Sequence, residues 1–309
     1  MSAEAPSTTQ QATVPGQAEG IATRPSRHRV PAGRRRRRAA RRSAGYVFLV
    51  ALSGATVFPF VWMLLTSVRH RDTVFGGSLV PDELTFGAYG RAWSQLDYLS
   101  HFLTSVVVTT LTVLGVLALA SLAGYSFAKL DFPGKQVIYV TLLTTLMMPL
   151  TALILPLFLQ MKTLSLLNTR QGLILVYIGL SLPFAMFLMR AFFETLPDEL
   201  IDAARVDGAG EFRIFWRVML PLAAPGVATV VVFQFLTTWN EFLFAQTFLQ
   251  DPEILPLQPH LFGVVRGQHV TDWPLLTAAL TMSVLPMVLV YMRMQRRFVA
   301  GLTLGAVKS

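Results

Sequence analysis

The sequence predicts an all-α integral membrane protein with six transmembrane helices and a cytoplasmic helix-turn-helix loop. Of 309 residues, 53% are hydrophobic and only 14% are charged, whereas soluble domains carry about a quarter charged residues. Six long stretches contain no Asp, Glu, Lys or Arg. A helix needs about 20 apolar residues to cross a bilayer, and runs of this length without strict alternation indicate helices rather than barrel strands.

The six spans follow directly from the charge-free stretches. Five of them contain proline within or near an end, including Pro149 and Pro225, and we expect ordinary kinks at these positions. The predicted spans cover about residues 44–67, 103–127, 137–160, 171–190, 219–243 and 274–293.

Residues 1–43 predict a disordered, Arg-rich cytoplasmic tail ahead of a membrane domain covering 44–309. The tail holds 10 Arg and two Glu, while the rest of the chain is nearly balanced in charge. Its abundant Ser, Thr, Pro and Gln leave little apolar surface to bury. The Arg34–Arg38 run beside the first span favours retention of the tail in the cytosol; lipid contact is the second interpretation, and nucleic-acid binding is disfavoured.

The distribution of positive charge sets the orientation. With the tail inside, the inner segments hold 20 of the 26 Lys and Arg residues. Positive segments resist translocation, so both termini are predicted to be cytoplasmic. The first span is longer than a signal-peptide core and predicts an uncleaved anchor.

The inner loop at about 194–218 is long enough to contain structure of its own. Thr195 with a proline at the first helical position predicts a helix over 197–206. Gly208 and Gly210 then supply a turn that can take positive φ, and an acid at Glu211 favours the start of a second helix. Four large residues at helical spacing form one apolar face there, which is expected to pack on the membrane helices: Phe212, Phe215, Trp216 and Met219.

Several motifs carry a family resemblance. The segment Asp202-Ala203-Ala204-Arg205-Val206-Asp207-Gly208-Ala209, followed by Leu220-Pro221-Leu222 and Pro225, resembles the EAA loop of binding-protein-dependent ABC importer permeases. Asp202 stands where the family usually has Glu. The carbohydrate-uptake branch, which includes maltose-type permeases, is similar in three further stretches: Phe132-Pro133-Gly134-Lys135, Trp239-Asn240-Glu241-Phe242, and Arg297 to Thr303 with Gly305 to Lys308.

The resemblance implies the permease subunit of a sugar importer in the inner membrane of a bacterium. In such importers the short first helix of the loop docks into a cleft of a cytoplasmic ATPase dimer. Further implied partners are a second permease subunit, expected to be a different chain, and an extracytoplasmic solute-binding protein. The residues expected to couple to the ATPase are Asp202, Ala203, Ala204, Asp207, Gly208 and Ala209.

The chain itself is not expected to be an enzyme or to bind a cofactor. Gly134-Lys135 is followed by Gln136 and lacks the upstream glycine of a phosphate-cradling loop, so ATP and Mg²⁺ are expected on the partner ATPase. The five histidines show no metal-ligand spacing, and those in loops are expected to be solvated. No Ser, His and Asp set accompanies a nucleophile-elbow pattern, so no catalytic residue is assigned.

Trp239, Asn240 and Glu241 are the candidate translocation-path residues. A carboxylate near the centre of a bilayer costs about 3 kcal/mol unless it faces a cavity or a partner. Asn240 and Glu241 could hydrogen-bond sugar hydroxyls while Trp239 stacks on the ring. The alternative places Glu241 at the interface, facing headgroups or capping a neighbouring helix.

Three other functions remain open at this point. An ABC permease for another solute, such as a polyamine or a peptide, would carry the same loop. A secondary transporter is disfavoured because five of the charge-free stretches hold no intramembrane charge and no internal repeat is visible. A membrane-anchored interaction protein would use the Arg-rich tail.

Overall fold

A computed structural model describes residues 32–74, 81, 83–267 and 272–306, and this part of the chain is helical without any β-strand. The chain divides into two units, Met1–Val57 and Phe58–Ser309. The first unit contains most of helix α1, and the second contains the other helices. The α-helices are α1 (Ala32–Ser67), α2 (Gly87–Gln95), α3 (Tyr98–Lys129), α4 (Lys135–Thr144), α5 (Ile154–Thr163), α6 (Arg170–Glu194), α7 (Glu199–Val206), α8 (Glu211–Ile214), α9 (Leu220–Leu222), α10 (Ala224–Trp239), α11 (Leu243–Phe248), α12 (Leu257–Gly267) and α13 (Trp273–Ala306).

The described residues contain between four and six candidate membrane spans, against the six that the sequence predicts. Four helical stretches are long and apolar enough to cross a bilayer alone, and the number reaches six when each of two bent helix pairs is counted as one span. The unbent stretches are Gly45–Ser67, α3, α6 and Trp273–Arg296.

The third span departs from the prediction of one helix over 137–160. Lys135–Met147 and Leu150–Thr163 meet at 100°. Pro149 has no N–H to donate and forces the preceding Met148 into an extended conformation, with ψ of 131°. The fifth span is bent as well, by 76° between Glu211–Leu222 and Ala224–Trp239.

Helix α1 begins at Ala32 rather than near residue 44. Residues 32–43 of the predicted tail therefore lie within the bounds of α1, while residues 1–31 lie outside the described residues. Arginine and alanine are among the best helix formers, so this segment extends the helix that the apolar span already nucleates.

Helices α3 and α6 pack closely at the centre of the second unit. Gly124 of α3 makes this possible, because a Cβ at that position would lie 2.8 Å from the backbone nitrogen of Arg190. Around the contact lies a buried core formed by α3, α6, α10 and the loop between α6 and α10. The largest of its fully buried side chains are Phe193, Met186, Met189, Ile214 and Met219.

Candidate functional site

The loop between α6 and α10 contains two short helices, α7 and α8, joined by a turn. Its first helix, α7, begins at Glu199, two residues later than expected. The reason is that Thr195 closes α6 instead of capping α7: its hydroxyl donates a 2.7 Å hydrogen bond to the carbonyl of Phe192. The chain therefore leaves α6 through a turn before α7 starts.

Gly208 takes the turn between the two loop helices. Its φ is +76°, which a glycine adopts without a Cβ penalty, whereas Gly210 has φ of −74°. The N–H of Gly208 donates to the carbonyl of Arg205, and the N–H of Ala209 donates to that of Ala204, both at 3.0 Å. This pair of bonds is a Schellman motif, which ends α7 and fixes the direction of the next helix.

The predicted coupling residues divide into a surface set and a packed set. Ala204 and Ala209 pack against the buried core. The exposed set is Asp202, Ala203, Asp207 and Gly208.

Sequence reasoning missed two apolar residues on the exposed side of α7. Val206 is 88% exposed and Leu200 is 37% exposed. With Ala203 they recur every three residues, so they share one side of the short helix. That spacing was visible in the sequence, and it places exposed apolar side chains beside the exposed residues Asp202 and Asp207.

Ion pairs and hydrogen bonds brace the loop against itself and against α3. Arg205 lies 2.7 Å from the Glu211 carboxylate and 3.4 Å from that of Asp202. Its hydrogen bond to Glu211 raises the pKa of the Arg205 guanidinium, so the charge is permanent. Tyr125 of α3 donates a 3.3 Å hydrogen bond to Glu211. At the end of α3, Lys129 donates to the carbonyl of Leu196 at 2.6 Å.

The predicted apolar face of the second loop helix is only half correct. Phe215 and Met219 are buried, but Phe212 is 71% exposed and Trp216 is 49% exposed. The segment Phe215–Met219 is a π-helix, whose wider turn changes the register of the side chains. The stripe therefore straddles the edge of the core, with two residues on each side.

Trp239 lies inside the protein in this structure. Its side chain is 3% exposed, its indole N–H donates a 3.1 Å hydrogen bond to the carbonyl of Ser283, and its ring stacks on Phe235. The ring therefore serves the packing between α10 and α13. Asn240 is exposed, and its amide donates to the carbonyl of Leu236 at 2.8 Å.

Glu241 caps helix α11, which was the alternative left open by the sequence. Its carboxylate accepts hydrogen bonds from the N–H groups of Phe244 at 2.8 Å and Ala245 at 3.1 Å. It also accepts one from the hydroxyl of Tyr177 in α6. At the other end of α11, Asn168 accepts from the N–H groups of Gln250 and Asp251 at 2.8 and 2.9 Å.

The roles of Tyr177 and Asn168 were not predicted. Tyr177 lies 64 positions from Glu241 and Asn168 lies 82 positions from Gln250, and nothing in the sequence indicates that these residues meet. Together with Glu241, they fasten both ends of the segment that follows the fifth span. That segment is thereby joined to the region where α6 begins.

Two histidines are structural, which contradicts the expectation of solvated loop residues. The rings of His101 and His260 stack with centroids 3.5 Å apart. His101 donates to the carbonyl of Leu255, and His260 to that of Leu96, both at 2.8 Å. Burial, and next the neighbouring His101, lower the pKa of His260 below 6.5. This stack joins α3 to α12.

Comparison with protein families identifies most of this helical arrangement. Residues 117–303 match the family described as binding-protein-dependent transport system inner membrane component. The matched region extends from the middle of α3 into α13 and includes the whole loop with α7 and α8.

Individual relatives cover nearly the full length. The diacetylchitobiose uptake system permease protein NgcG of Streptomyces coelicolor is 36% identical over 262 residues, which is 84% of this chain and 87% of that protein. The trehalose transport system permease protein SugB of Mycobacterium tuberculosis is 33% identical, over 87% of this chain and 99% of that one. A chain of a bacterial ABC transporter involved in import of the acidic polysaccharide alginate superposes with a TM-score of 0.75 at 27% identity, covering 82% of this chain and 95% of that chain.

Proposed function

The chain belongs to the family of binding-protein-dependent transport system inner membrane components, and from this membership we propose that it is the permease subunit of an ATP-driven importer for a sugar or oligosaccharide. It is a multi-pass membrane protein and a transport subunit rather than an enzyme. Relatives named for uptake of diacetylchitobiose, of trehalose, and of trehalose and maltose support a saccharide as the solute.

The loop geometry is the observation that carries the proposed coupling. Its short helix α7 exposes Leu200, Ala203 and Val206 together with the acidic residues Asp202 and Asp207. A small apolar strip with neighbouring carboxylates fits a groove on another protein. We propose that this groove belongs to a cytoplasmic ATPase dimer that holds the ATP and Mg²⁺, and that both termini of the permease are cytoplasmic.

Movement of α7 would reach the membrane helices through rigid contacts. Tyr125 and Lys129 hold the loop to α3, and Ala204 and Ala209 pack into the buried core shared by α3, α6 and α10. A displacement of α7 is therefore expected to move these helices together. A second permease subunit and an extracytoplasmic solute-binding protein complete the proposed importer.

Within the translocation path, we propose Asn240 as the residue that meets the solute. Its side chain is exposed, whereas Trp239 is buried and the Glu241 carboxylate caps α11. Glu241 then acts by holding the end of the fifth span in place. Amide groups suit a sugar because they both donate to and accept from hydroxyls.

A purification followed by transport tests the proposal. The tagged chain is isolated from the membranes of its host, and the expected co-purifying proteins are a P-loop ATPase and a second permease. Vesicles containing this assembly and the solute-binding protein should accumulate a labelled mono- or oligosaccharide only with ATP on the ATPase side. Accumulation of a polyamine or peptide would reassign the solute, and accumulation by this chain alone without nucleotide would overturn the ATP-driven mechanism.

A further inference from the structure

The exposed side of the second loop helix carries alternating aromatic and cationic residues. Phe212 and Trp216 are exposed and contact each other edge to face, with ring centroids 6.2 Å apart. Arg213 and Arg217 each follow one of these rings, and both are exposed. All four side chains line one open concavity, and we call them the Arg-aromatic face. Gly208 and Gly210 of the loop turn line the same concavity, so the Arg-aromatic face adjoins the surface proposed to bind the ATPase.

The Arg-aromatic face carries net positive charge. Glu211 also lines the concavity, but its carboxylate is engaged by Arg205 at 2.7 Å and by Tyr125. Lys129, Lys135 and Arg190, at the neighbouring ends of α3, α4 and α6, each form an ion pair with a carboxylate. Among the described residues, no ion pair involves Arg213 or Arg217. Two guanidinium groups one helical turn apart are thus left to bind an anion.

The bend in the fifth span sets the direction of this segment. Glu211–Leu222 makes an angle of 76° with Ala224–Trp239. We take Ala224–Trp239 as the part of this bent pair that crosses the membrane, so Glu211–Leu222 runs nearly parallel to the membrane surface. Phe215 and Met219 bury one side of Glu211–Leu222 in the protein core. The Arg-aromatic face is therefore the side that can meet the boundary between the bilayer and water. Trp, Phe and Arg on one face are typical of helices that lie in the headgroup region.

We propose that the Arg-aromatic face binds the headgroup of an anionic phospholipid in the cytoplasmic leaflet. Arg213 and Arg217 hold the phosphate, since guanidinium matches phosphate oxygens in a fork geometry. Phe212 and Trp216 cover the boundary between the glycerol and the acyl chains. The placement on the cytoplasmic leaflet rests on the proposed function, but the recognition chemistry does not. A bound lipid would brace the base of the coupling loop against the bilayer.

Quenching of Trp216 fluorescence tests this site. The full-length chain is reconstituted into phosphatidylcholine vesicles containing either brominated phosphatidylglycerol or brominated phosphatidylcholine, and the W216F variant is subtracted to isolate the signal of Trp216. Both leaflets contain the probe, so the result is independent of orientation and of transport. The favourable electrostatic contribution of two arginines near an anionic surface predicts roughly 30-fold selectivity for the anionic lipid.

The double variant R213Q/R217Q is expected to lose this selectivity. R293Q/R296Q removes the same charge from exposed positions of α13 and is expected to retain it. Equal quenching by the two lipids in the unmodified chain would overturn the headgroup site and leave only apolar contact. Absence of quenching by either lipid, with Trp216 shielded when the ATPase is added, would assign the face to a protein partner. Competition by inorganic phosphate at equal concentration would overturn the assignment to a lipid.

Discussion

Lys129, at the end of α3, holds the start of the loop between α6 and α10 through two contacts that differ in their exposure to solvent. Its ammonium lies 2.6 Å from the carbonyl oxygen of Leu196 and 2.5 Å from a carboxylate oxygen of Asp198. The lysine side chain is only 6% exposed, while that of Asp198 is 77% exposed. Solvent screens the exposed carboxylate, so the contact with the partly buried carbonyl contributes more.

Replacing Lys129 by Met should destabilise the loop more than replacing Asp198 by Asn. The first change leaves the Leu196 carbonyl without its charged donor, at a cost of about 2 kcal/mol. The second removes an exposed partner and should cost less than about 1 kcal/mol. Equilibrium unfolding in detergent measures both, and limited proteolysis across 195–210 reports the loop. Equal losses from the two variants would show that the ion pair is the stabilising contact.

Replacing Gly208 by Val should prevent binding of the ATPase while the permease still inserts. A β-branched residue at φ of +76° costs at least about 1–2 kcal/mol, so the Schellman turn would rearrange and α7 would point elsewhere. No neighbouring atom lies within 4 Å of a Cβ at Gly208, so backbone strain is the only direct effect. Asn, which tolerates this conformation, should retain most of the binding.

The matched control for the Gly208 variant is Gly210→Ala. Gly210 has φ of −74°, and a Cβ there also meets no atom within 4 Å, so ATPase co-purification should be unchanged. If Gly208→Val co-purified with as much ATPase as the unmodified chain, the turn at Gly208 would not be needed for ATPase binding.

The membrane spans and the loop turn could be predicted from the sequence because each depends on local chemistry. Lipid forces long charge-free helices, and a chain reversal that needs positive φ selects glycine. Pro149 was expected to kink the third span, but the sequence does not give the 100° angle at which α4 packs on one buried cluster and α5 on another. The π-helix at Phe215–Met219 was not predicted, and Phe212 and Trp216 are exposed against expectation.

The contacts that position the site were beyond prediction for a related reason. Lys129 binds a backbone carbonyl, and every residue has one, so no residue type identifies the partner. Tyr177 and Glu241 are 64 residues apart and meet only because α6 and the end of α10 lie together. Capping of a neighbouring helix was one of the two roles predicted for Glu241, but the sequence alone did not distinguish capping from a position facing the translocation path.

Variants of Glu241 and Asn240 should separate structural support from solute contact. Glu241→Ala removes the cap of α11 and should lower the free energy of unfolding by about 1–2 kcal/mol, with the KM for the solute unchanged in the folded protein. Tyr177→Phe removes one donor to the same carboxylate, and the two changes should be non-additive.

Asn240→Ala should behave in the opposite way, raising the KM for the solute while stability stays within about 0.5 kcal/mol of the original. Solute uptake in reconstituted vesicles and unfolding in detergent supply the two readouts. If Glu241→Gln raised the KM for the solute without lowering the free energy of unfolding, the Glu241 carboxylate would instead contact the solute in the translocation path.

Acidification should destabilise the protein through His260. Burial and the adjacent His101 ring hold the pKa of His260 below 6.5, its ordinary value in the unfolded chain. Between 6.5 and the lower folded pKa, the unfolded chain binds the proton and the folded protein does not. The stability conferred by neutral His260 is therefore complete above pH 6.5 and declines as the pH falls from 6.5 towards the folded pKa.

Thermal unfolding of the full chain across this pH range measures the effect, and His260→Gln should flatten the decline. Glutamine can still donate to the Leu96 carbonyl, but it does not titrate. The control is His70→Gln, which removes an exposed histidine that takes no part in the stack. Because the stack joins α3 to α12, proteolysis within 249–256 should increase in acid in the unmodified chain and not in His260→Gln. An unchanged acid response in His260→Gln would place the sensitivity in other groups.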